Sequence, residues 1–184
     1  MTDFPIHTAE TAPEASRERL EAAQKALGFI PNLYATMAEA PAVLEGYQTL
    51  AGIFEKSDLN MTELQIIMMT NNVQNGCEYC MAAHTTLSQM QGIDADVVTA
   101  LRDGTPFADA KLEALRTFTA IVNESRGYPA DADIQAFLAA GYTKQTILEV
   151  VLGTGLKVIS NYTNHIAATP VDAAFAPNAW TKAA

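Results

Sequence analysis

Residues 62–85 read TELQIIMMTNNVQNGCEYCMAAHT, and this stretch decides the predicted fold. Its first half is apolar on nearly every side of a helix, which is typical of a helix buried in a protein core. Asn75 and Gly76 interrupt the pattern, and a second helical stretch follows. The segment therefore predicts two consecutive helices at the centre of the molecule.

Capping residues give the expected ends of these two helices. Thr62 is the expected N-cap of the first, and Asn75 with Glu78 resembles a capping box for the second. Gly92 is expected to end the second helix. On this interpretation Cys77 lies within the first turn of the second helix.

Seven further stretches have helical periodicity, and no stretch alternates apolar and polar residues as a strand would. These stretches are residues 13–27, 31–40, 42–56, 93–102, 109–126, 131–140 and 143–168. Residues 62–87 and 143–168 share an outline of a Thr cap, an apolar run, an Asn-rich segment and a late His, which suggests a duplicated helical hairpin. The sequence predicts an all-α helical bundle.

The length and composition fit one globular domain covering residues 1–184. A chain of 184 residues buries enough surface to fold without disulfides, and 49% hydrophobic with 17% charged residues is a globular balance. Residues 1–13 are polar and contain prolines, so we expect an N-terminal arm that is mobile or lies over a partner subunit. Residues 171–184 show little periodicity, so we expect a loose tail.

Charge and hydropathy exclude two classes of partner. The net charge of −10 argues against a nucleic-acid partner, because affinity for phosphate backbones requires clustered Lys and Arg. No apolar run is long enough to span a bilayer, and the first residues show no secretory signal. We expect a cytoplasmic protein that binds neither nucleic acid nor membrane.

Two cysteines and a histidine lie close together on the second central helix. At ~100° per residue, Cys77, Cys80 and His84 fall within a sector of about 60°. The helix dipole favours a thiolate at Cys77, and the spacing of four residues brings Cys80 towards His84. Both cysteines are candidate nucleophiles. A sulfenic acid on one could condense with the other to a disulfide, which an outside reductant would reset.

Alternatives to redox chemistry remain open from the residues alone. Buried cysteines without a role are common, and two thiols with an imidazole could bind zinc, although no fourth ligand is visible and one helix crowds a tetrahedral site. The methionines are expected to fill the core, and as a hypothesis they line an apolar pocket for an organic hydroperoxide. They are Met61, Met68, Met69, Met81 and Met90.

The motif NGCxYCxAAHT at residues 75–85, with Gly92-Ile93 after it and Phe29-Ile30-Pro31-Asn32 before it, resembles the carboxymuconolactone decarboxylase superfamily. Within that superfamily it is most similar to the alkylhydroperoxidase D-like, peroxidase-related proteins. The resemblance implies an all-helical fold, homo-oligomers and thiol peroxidase or disulfide reductase activity. It also implies that Cys80 attacks the peroxide, Cys77 resolves the product and His84 relays protons.

Two positions depart from the pattern of the characterised peroxidase. The glutamate expected twelve residues before the first cysteine is Gln65, which cannot take a proton. Glu63 lies roughly 200° round the helix from it and is a poor substitute. The histidine expected before the second cysteine is Tyr79, which is protonated at neutral pH. The relay then reduces to His84 and water, so a low peroxidase rate is expected.

The leading hypothesis is a thiol-dependent peroxidase or disulfide oxidoreductase that uses Cys77, Cys80 and His84. It needs neither a cofactor nor a metal. Its reactants would be a small hydroperoxide and a thiol or dithiol reductant, and a redox partner protein could supply the reductant. The chain is expected to form a homo-oligomer. The alternatives are a carboxymuconolactone decarboxylase-type lyase, and a non-catalytic helical protein with inert or metal-binding thiols.

Overall fold

The computed structural model describes residues 3–182, which form nine α-helices, one 3-10 helix and no strand. The helices are α1 (Glu14–Leu27), α2 (Asn32–Met37), α3 (Pro41–Phe54), α4 (Met61–Asn75), α5 (Glu78–Met90), α6 (Ala95–Asp103), α7 (Ala110–Glu124), α8 (Asp131–Ala139) and α9 (Lys144–Ala167). The 3-10 helix is Ala176–Asn178. The prediction of an all-α fold is confirmed. Residues 1–2 and 183–184, the outer ends of the predicted arm and tail, lie outside the described residues.

Helix α4 is the centre of the fold, as its apolar run predicts. It packs against α5, α6, α7 and α9, and every residue from 63 to 72 is buried. Its N-cap is Asn60 and not Thr62, so that prediction is wrong. The Asn60 side chain accepts from the Glu63 backbone N–H, and the Glu63 carboxylate accepts from the Asn60 backbone N–H. This pair forms a capping box that Thr62 cannot form.

The junction between α4 and α5 places the first cysteine. Gly76 ends α4 in the left-handed region, with φ 67°, and Cys77 is the N-cap of α5. The predicted Asn75–Glu78 capping box is wrong, because Asn75 is still the last residue of α4. Its side-chain amide donates instead to the Asn161 side-chain oxygen on α9, at 2.9 Å. The junction is thus tied to the helix that faces the cysteines.

Helix α9 is one continuous helix of 24 residues with Thr143 as its N-cap, as predicted. Residues 143–168 therefore do not form a hairpin, whereas residues 62–87 form two helices separated at Gly76. The outline shared by the two segments does not extend to their shape. No helix within residues 3–182 has the length and apolar character needed to cross a membrane.

The described part of the tail, residues 171–182, packs against α5 and α6 and differs from the loose end expected. Phe175 packs edge-on against Tyr79 at 6.2 Å between ring centroids. Arg102 donates to the backbone oxygens of Asn178 and Ala179, and the Trp180 indole donates to the Arg102 backbone oxygen. These anchors are single side chains without a repeating pattern, so sequence periodicity does not reveal them.

The described part of the arm also has fixed contacts. The His7 backbone N–H donates to the Ala35 carbonyl, and the His7 ring lies 2.7 Å from the Glu39 carboxylate. Ala12 is buried. Residues 7–12 therefore lie against α2 and the turn that follows it.

Gly153 provides a test of the packing between α9 and the core. A Cβ at this position would lie 2.7 Å from both Ile67 Cγ2 and Phe54 Cζ, and both of these side chains are buried. We expect Gly153→Ala to lower the free energy of unfolding by about 1–3 kcal/mol, because overpacking exceeds the helix preference of alanine. Urea denaturation measures the change.

The matched control is Gly155, which is on the same helix and where an added Cβ would meet no neighbouring atom within 4 Å. Gly155→Ala should leave the free energy of unfolding unchanged or raise it by up to ~1 kcal/mol. Equal effects of the two substitutions would contradict the close approach at Gly153.

Candidate active site

A polar face of α9 lies opposite the cysteines. Its four residues are spaced i, i+3, i+4 and i+7, which places them on one side of the helix, and all four are buried. They are Lys157, Ser160, Asn161 and Asn164. Because these polar groups face inward from an otherwise apolar helix, they provide most of the hydrogen-bonding environment of the site.

The two sulfur atoms share one hydrogen-bond donor. The Asn164 side-chain amide lies 3.2 Å from Cys80 Sγ and 3.7 Å from Cys77 Sγ. Both cysteines have free thiols. Cys77 is only 1% exposed and Cys80 only 2%. The geometry brings the sulfurs together in a buried site, as the CxxC spacing predicts.

The thiols differ in their protonation. The hydrogen bond that Cys77 donates to Cys80 raises the pKa of Cys77, and burial raises it further. Burial alone would raise the pKa of Cys80 as well. The neighbouring Cys77 thiol, the charge of Lys157 and the nearby polar side chains of Asn161 and Ser160 outweigh it, and they lower the pKa of Cys80 to about 5. These surroundings favour the thiolate form at Cys80 and the thiol form at Cys77.

The His84 ring connects Lys157 to two glutamines. Its Nδ1 donates to Gln65 Oε1 at 2.9 Å, and Gln65 Nε2 donates to Gln91 Oε1 at 3.0 Å. Its Nε2 accepts from Lys157 Nζ at 3.2 Å. Burial lowers the pKa of His84 well below 6.5, and the charge of Lys157 lowers it further. His84 is therefore a neutral imidazole whose tautomer is fixed by Gln65.

Lys157 is the main site residue that the sequence analysis misses. Its side chain is fully buried. The cations of the four ion pairs between side chains of residues 3–182 are His7, Arg19, Lys111 and Arg116. The Lys157 Nζ contacts His84 Nε2 at 3.2 Å, and its charge lowers the pKa of Cys80. The available sequence signal was a lysine within the apolar part of α9, in register with Ser160, Asn161 and Asn164.

Two tyrosines close the site on the side of α2 and α3. The rings of Tyr34 and Tyr47 meet edge to face with centroids 6.0 Å apart. Burial raises the pKa of Tyr47, and the negative charge of Cys80 raises it further. Burial also raises the pKa of Tyr34. Both phenols remain protonated, so they can donate hydrogen bonds but do not compete for the positive charge of Lys157.

The structure separates the predicted supporting residues. Gln65 lies in the site through His84, whereas Glu63 caps α4, accepts from the Tyr142 hydroxyl at 3.1 Å and lies 3.9 Å from Lys111 Nζ. Glu63 therefore does not replace the glutamate that the resemblance implies at position 65.

The Tyr79 hydroxyl is occupied by contacts outside the site. It donates to Asp172 at 2.6 Å and accepts from the Leu33 backbone N–H at 3.1 Å. These contacts join α5 to the start of α2 and to the tail, and burial with the Asp172 hydrogen bond raises the pKa of Tyr79. The tyrosine anchors the cysteine helix and does not replace the histidine of the family relay.

The zinc alternative requires Cys77, Cys80 and His84 to point at one centre. No cluster of three or more His, Cys, Asp or Glu side chains within residues 3–182 could hold a metal ion. Of the five methionines expected to fill the core, Met68, Met69 and Met81 are buried, whereas Met61 and Met90 are exposed, so the prediction is wrong for these two. The buried three are part of the hydrophobic core, which agrees with core filling.

Residues 41–120 match the carboxymuconolactone decarboxylase family. This region contains α3 to α6, most of α7, both cysteines and His84. No curated protein matches the sequence at a significant level.

Solved structures share the fold over nearly the whole chain. A peroxidase-related protein from Ralstonia eutropha JMP134, described as an alkylhydroperoxidase AhpD core, is 19% identical with a TM-score of 0.83, covering 94% of this chain and 93% of its own. A peroxidase-related protein from Silicibacter sp. TM1040 is 21% identical with a TM-score of 0.80, covering 95% and 92%. The debrominase Bmp8, in a complex with 2,3,4-tribromopyrrole, is 16% identical with a TM-score of 0.77, covering 97% and 95%. Residues 41–120 are therefore similar to the carboxymuconolactone decarboxylase family, and the chain has the alkylhydroperoxidase D-like fold.

Proposed function

We propose that the protein is a thiol-dependent peroxidase that cycles through a Cys77–Cys80 disulfide. The observation that carries this proposal is that two buried free thiols, Cys77 and Cys80, share the Asn164 amide, in surroundings that lower the pKa of Cys80. A thiolate is the nucleophilic form of cysteine, and an adjacent thiol can resolve the oxidised product. The site therefore contains both reactants of the disulfide-forming step.

The cycle has two steps at the sulfurs. The Cys80 thiolate attacks the terminal oxygen of a hydroperoxide, so the O–O bond breaks, Cys80 becomes a sulfenic acid and an alkoxide leaves. The Cys77 thiol then attacks the sulfenic sulfur, which forms the disulfide and releases water. A thiol or dithiol reductant supplies two electrons and two protons to restore both thiols.

Cys80 is the better attacker in this arrangement. The position of Cys77 at the N-cap of α5 would favour a thiolate through the helix dipole, but the hydrogen bond that it donates to Cys80 keeps it protonated. Cys80 instead receives hydrogen bonds and the charge of Lys157. Cys77 is thus assigned the resolving role.

Burial of both sulfurs favours small reactants. At 1% and 2% exposure, neither thiol meets a bulky oxidant without movement of the side chains above it. A small hydroperoxide fits this restriction better than a protein disulfide. A brominated ring of the kind bound by the debrominase is a second two-electron oxidant, whose reaction with the thiols can be compared with that of a hydroperoxide.

The need for a thiol reductant suits the cytoplasm, which we propose as the location.

Oxidation with limiting hydroperoxide tests the proposed function. Reduced protein should lose two free thiols for each molecule of hydroperoxide consumed, release one molecule of alcohol, and contain a Cys77–Cys80 disulfide by mass spectrometry. Protein with both thiols alkylated beforehand is the control and should consume none. Unchanged free thiols in the presence of hydroperoxide would contradict the proposal. Turnover of a lactone acid by the alkylated protein would favour the lyase alternative.

A further inference from the structure

We propose that Lys157 is the proton donor of the peroxide step and gives its proton to the alkoxide that leaves when Cys80 is oxidised. This inference rests on the proposed function and identifies the source of the proton in a chain that has Gln65 in place of the relay glutamate. It assigns the role to a residue on α9, 77 positions after Cys80 in the sequence. The sequence motif around the cysteines does not include it.

The position of Lys157 supports this role. Its Nζ lies 3.2 Å from His84 Nε2, and its side chain is fully buried. Asn164, two turns further along α9, has its side-chain amide 3.2 Å from Cys80 Sγ. The ammonium is therefore on the same helix face as the amide that contacts the attacking sulfur.

The surroundings of Lys157 contain one buried group that can form an anion at neutral pH, since Glu55 is exposed. The titratable groups that face it from α2, α3 and α5 are Tyr34, Tyr47, Cys77, Cys80 and His84, with Glu55 further out beside the tyrosines. The tyrosines and Cys77 are protonated, and His84 is neutral. Cys80 is thus the buried counter-ion of Lys157.

Oxidation removes this counter-ion. Before the reaction, the Cys80 thiolate and the Lys157 ammonium together carry no net charge. When Cys80 becomes a sulfenic acid its negative charge moves to the leaving alkoxide, and an ammonium left alone in the interior would be costly. Transfer of the Lys157 proton to the alkoxide gives a neutral alcohol, a neutral amine and a neutral sulfenic acid. The site stays neutral throughout the step.

The return of the proton completes the balance. When the reductant regenerates Cys80 as a thiol, that thiol gives its proton to the Lys157 amine, which restores the ion pair. His84 is a positioning residue in this scheme. Its Nδ1–H is held by Gln65, so Nε2 remains an acceptor that orients Lys157 Nζ in both charge states. Gln65 therefore supports the relay without carrying a proton.

Three lysine variants separate charge from proton donation. Lys157→Met removes both, and Lys157→Arg keeps the charge but does not release a proton, since arginine stays protonated in proteins. Lys144→Met is the control, because Lys144 is exposed on the same helix. The measurements are the pH midpoint for thiolate formation at Cys80, followed by ultraviolet absorbance without peroxide, and the rate of Cys80 oxidation by hydroperoxide.

The expected results differ between the variants. In Lys157→Met the Cys80 midpoint should move up towards 8.5, and the oxidation rate at neutral pH should fall about 30-fold from the smaller thiolate fraction alone. In Lys157→Arg the midpoint should stay low while the rate falls by about 100-fold, the usual effect of losing a general acid. Lys144→Met should match the wild type in both measurements.

Two outcomes would overturn the inference. An unmoved Cys80 midpoint in Lys157→Met would show that Lys157 is not the counter-ion, and a wild-type oxidation rate in Lys157→Arg would show that it does not donate the proton. The midpoint is measured without peroxide, so it reports on Lys157 even if the protein reduces no hydroperoxide. A wild-type protein that forms no disulfide would instead refute the proposed function.

Discussion

Cys80→Ser is expected to lower the rate of hydroperoxide reduction by about three orders of magnitude or more, because the attacking atom is removed. The serine hydroxyl does not ionise near neutral pH, so neither the charge of Lys157 nor the Asn164 amide can turn it into a nucleophile. The remaining Cys77 thiol does not replace it, because burial raises the pKa of an unpaired thiol. Peroxide consumption under single-turnover conditions measures the loss.

Cys77→Ser is the matched variant and should behave differently. Its serine can still donate a hydrogen bond to the Cys80 thiolate, so the first oxidation of Cys80 should proceed once per chain. The resulting sulfenic acid has no resolving thiol and should accumulate, which trapping with dimedone and mass spectrometry would detect. Full turnover by Cys80→Ser, or sulfenic acid on Cys77 in the wild type, would contradict the assignment of the attacking residue.

The rate of Cys80 oxidation should be independent of pH from about pH 9 down to pH 6 and should fall below about pH 5. The rate falls on the acid side because the thiolate is the form that attacks. Since the pKa of Cys80 is lowered to about 5, only protonation below that value removes the nucleophile. The rate should then decrease tenfold for each further unit of pH. Rapid mixing with hydroperoxide, acid quenching and alkylation of the remaining thiols give the rate.

The same experiment on the unfolded chain gives the reference. An ordinary cysteine has a pKa of about 8.5, so its oxidation slows on going from pH 9 to pH 7 by about 25-fold. The folded protein should keep nearly all of its rate over that interval. A folded protein whose rate rises tenfold per unit through neutral pH would contradict the thiolate at Cys80.

The sequence predicts the part of the site that is local. Cys77, Cys80 and His84 lie on or next to one helix, so their spacing indicates a shared site, and the apolar run of residues 62–73 indicates the central helix. The spacing does not predict which groups the His84 ring contacts. Its ring nitrogens contact Gln65 on α4 and Lys157 on α9.

The parts that escape the sequence depend on distant contacts. Asn164 and Lys157 are about eighty positions from the cysteines, and only the packing of α9 against α4 and α5 brings them to the sulfurs. Tyr79 shows the same limit. Its place in the motif suggests a relay residue, but its hydroxyl donates a hydrogen bond to Asp172 at 2.6 Å. Asp172 lies in the tail, where the sequence has no periodicity. Local pattern identifies the thiols, while tertiary packing sets their charge.

The central claim is that the reduced protein holds one cysteine as a thiolate and the other as a thiol at neutral pH. The most direct measurement is a pH titration of the reduced protein with carbon-13 at both cysteine Cβ atoms, followed by NMR. The Cys80 signal is expected to titrate near pH 5, while the Cys77 signal stays in its protonated position through neutral pH. Two signals that both titrate at the ordinary value for cysteine, about pH 8.5, would contradict the account.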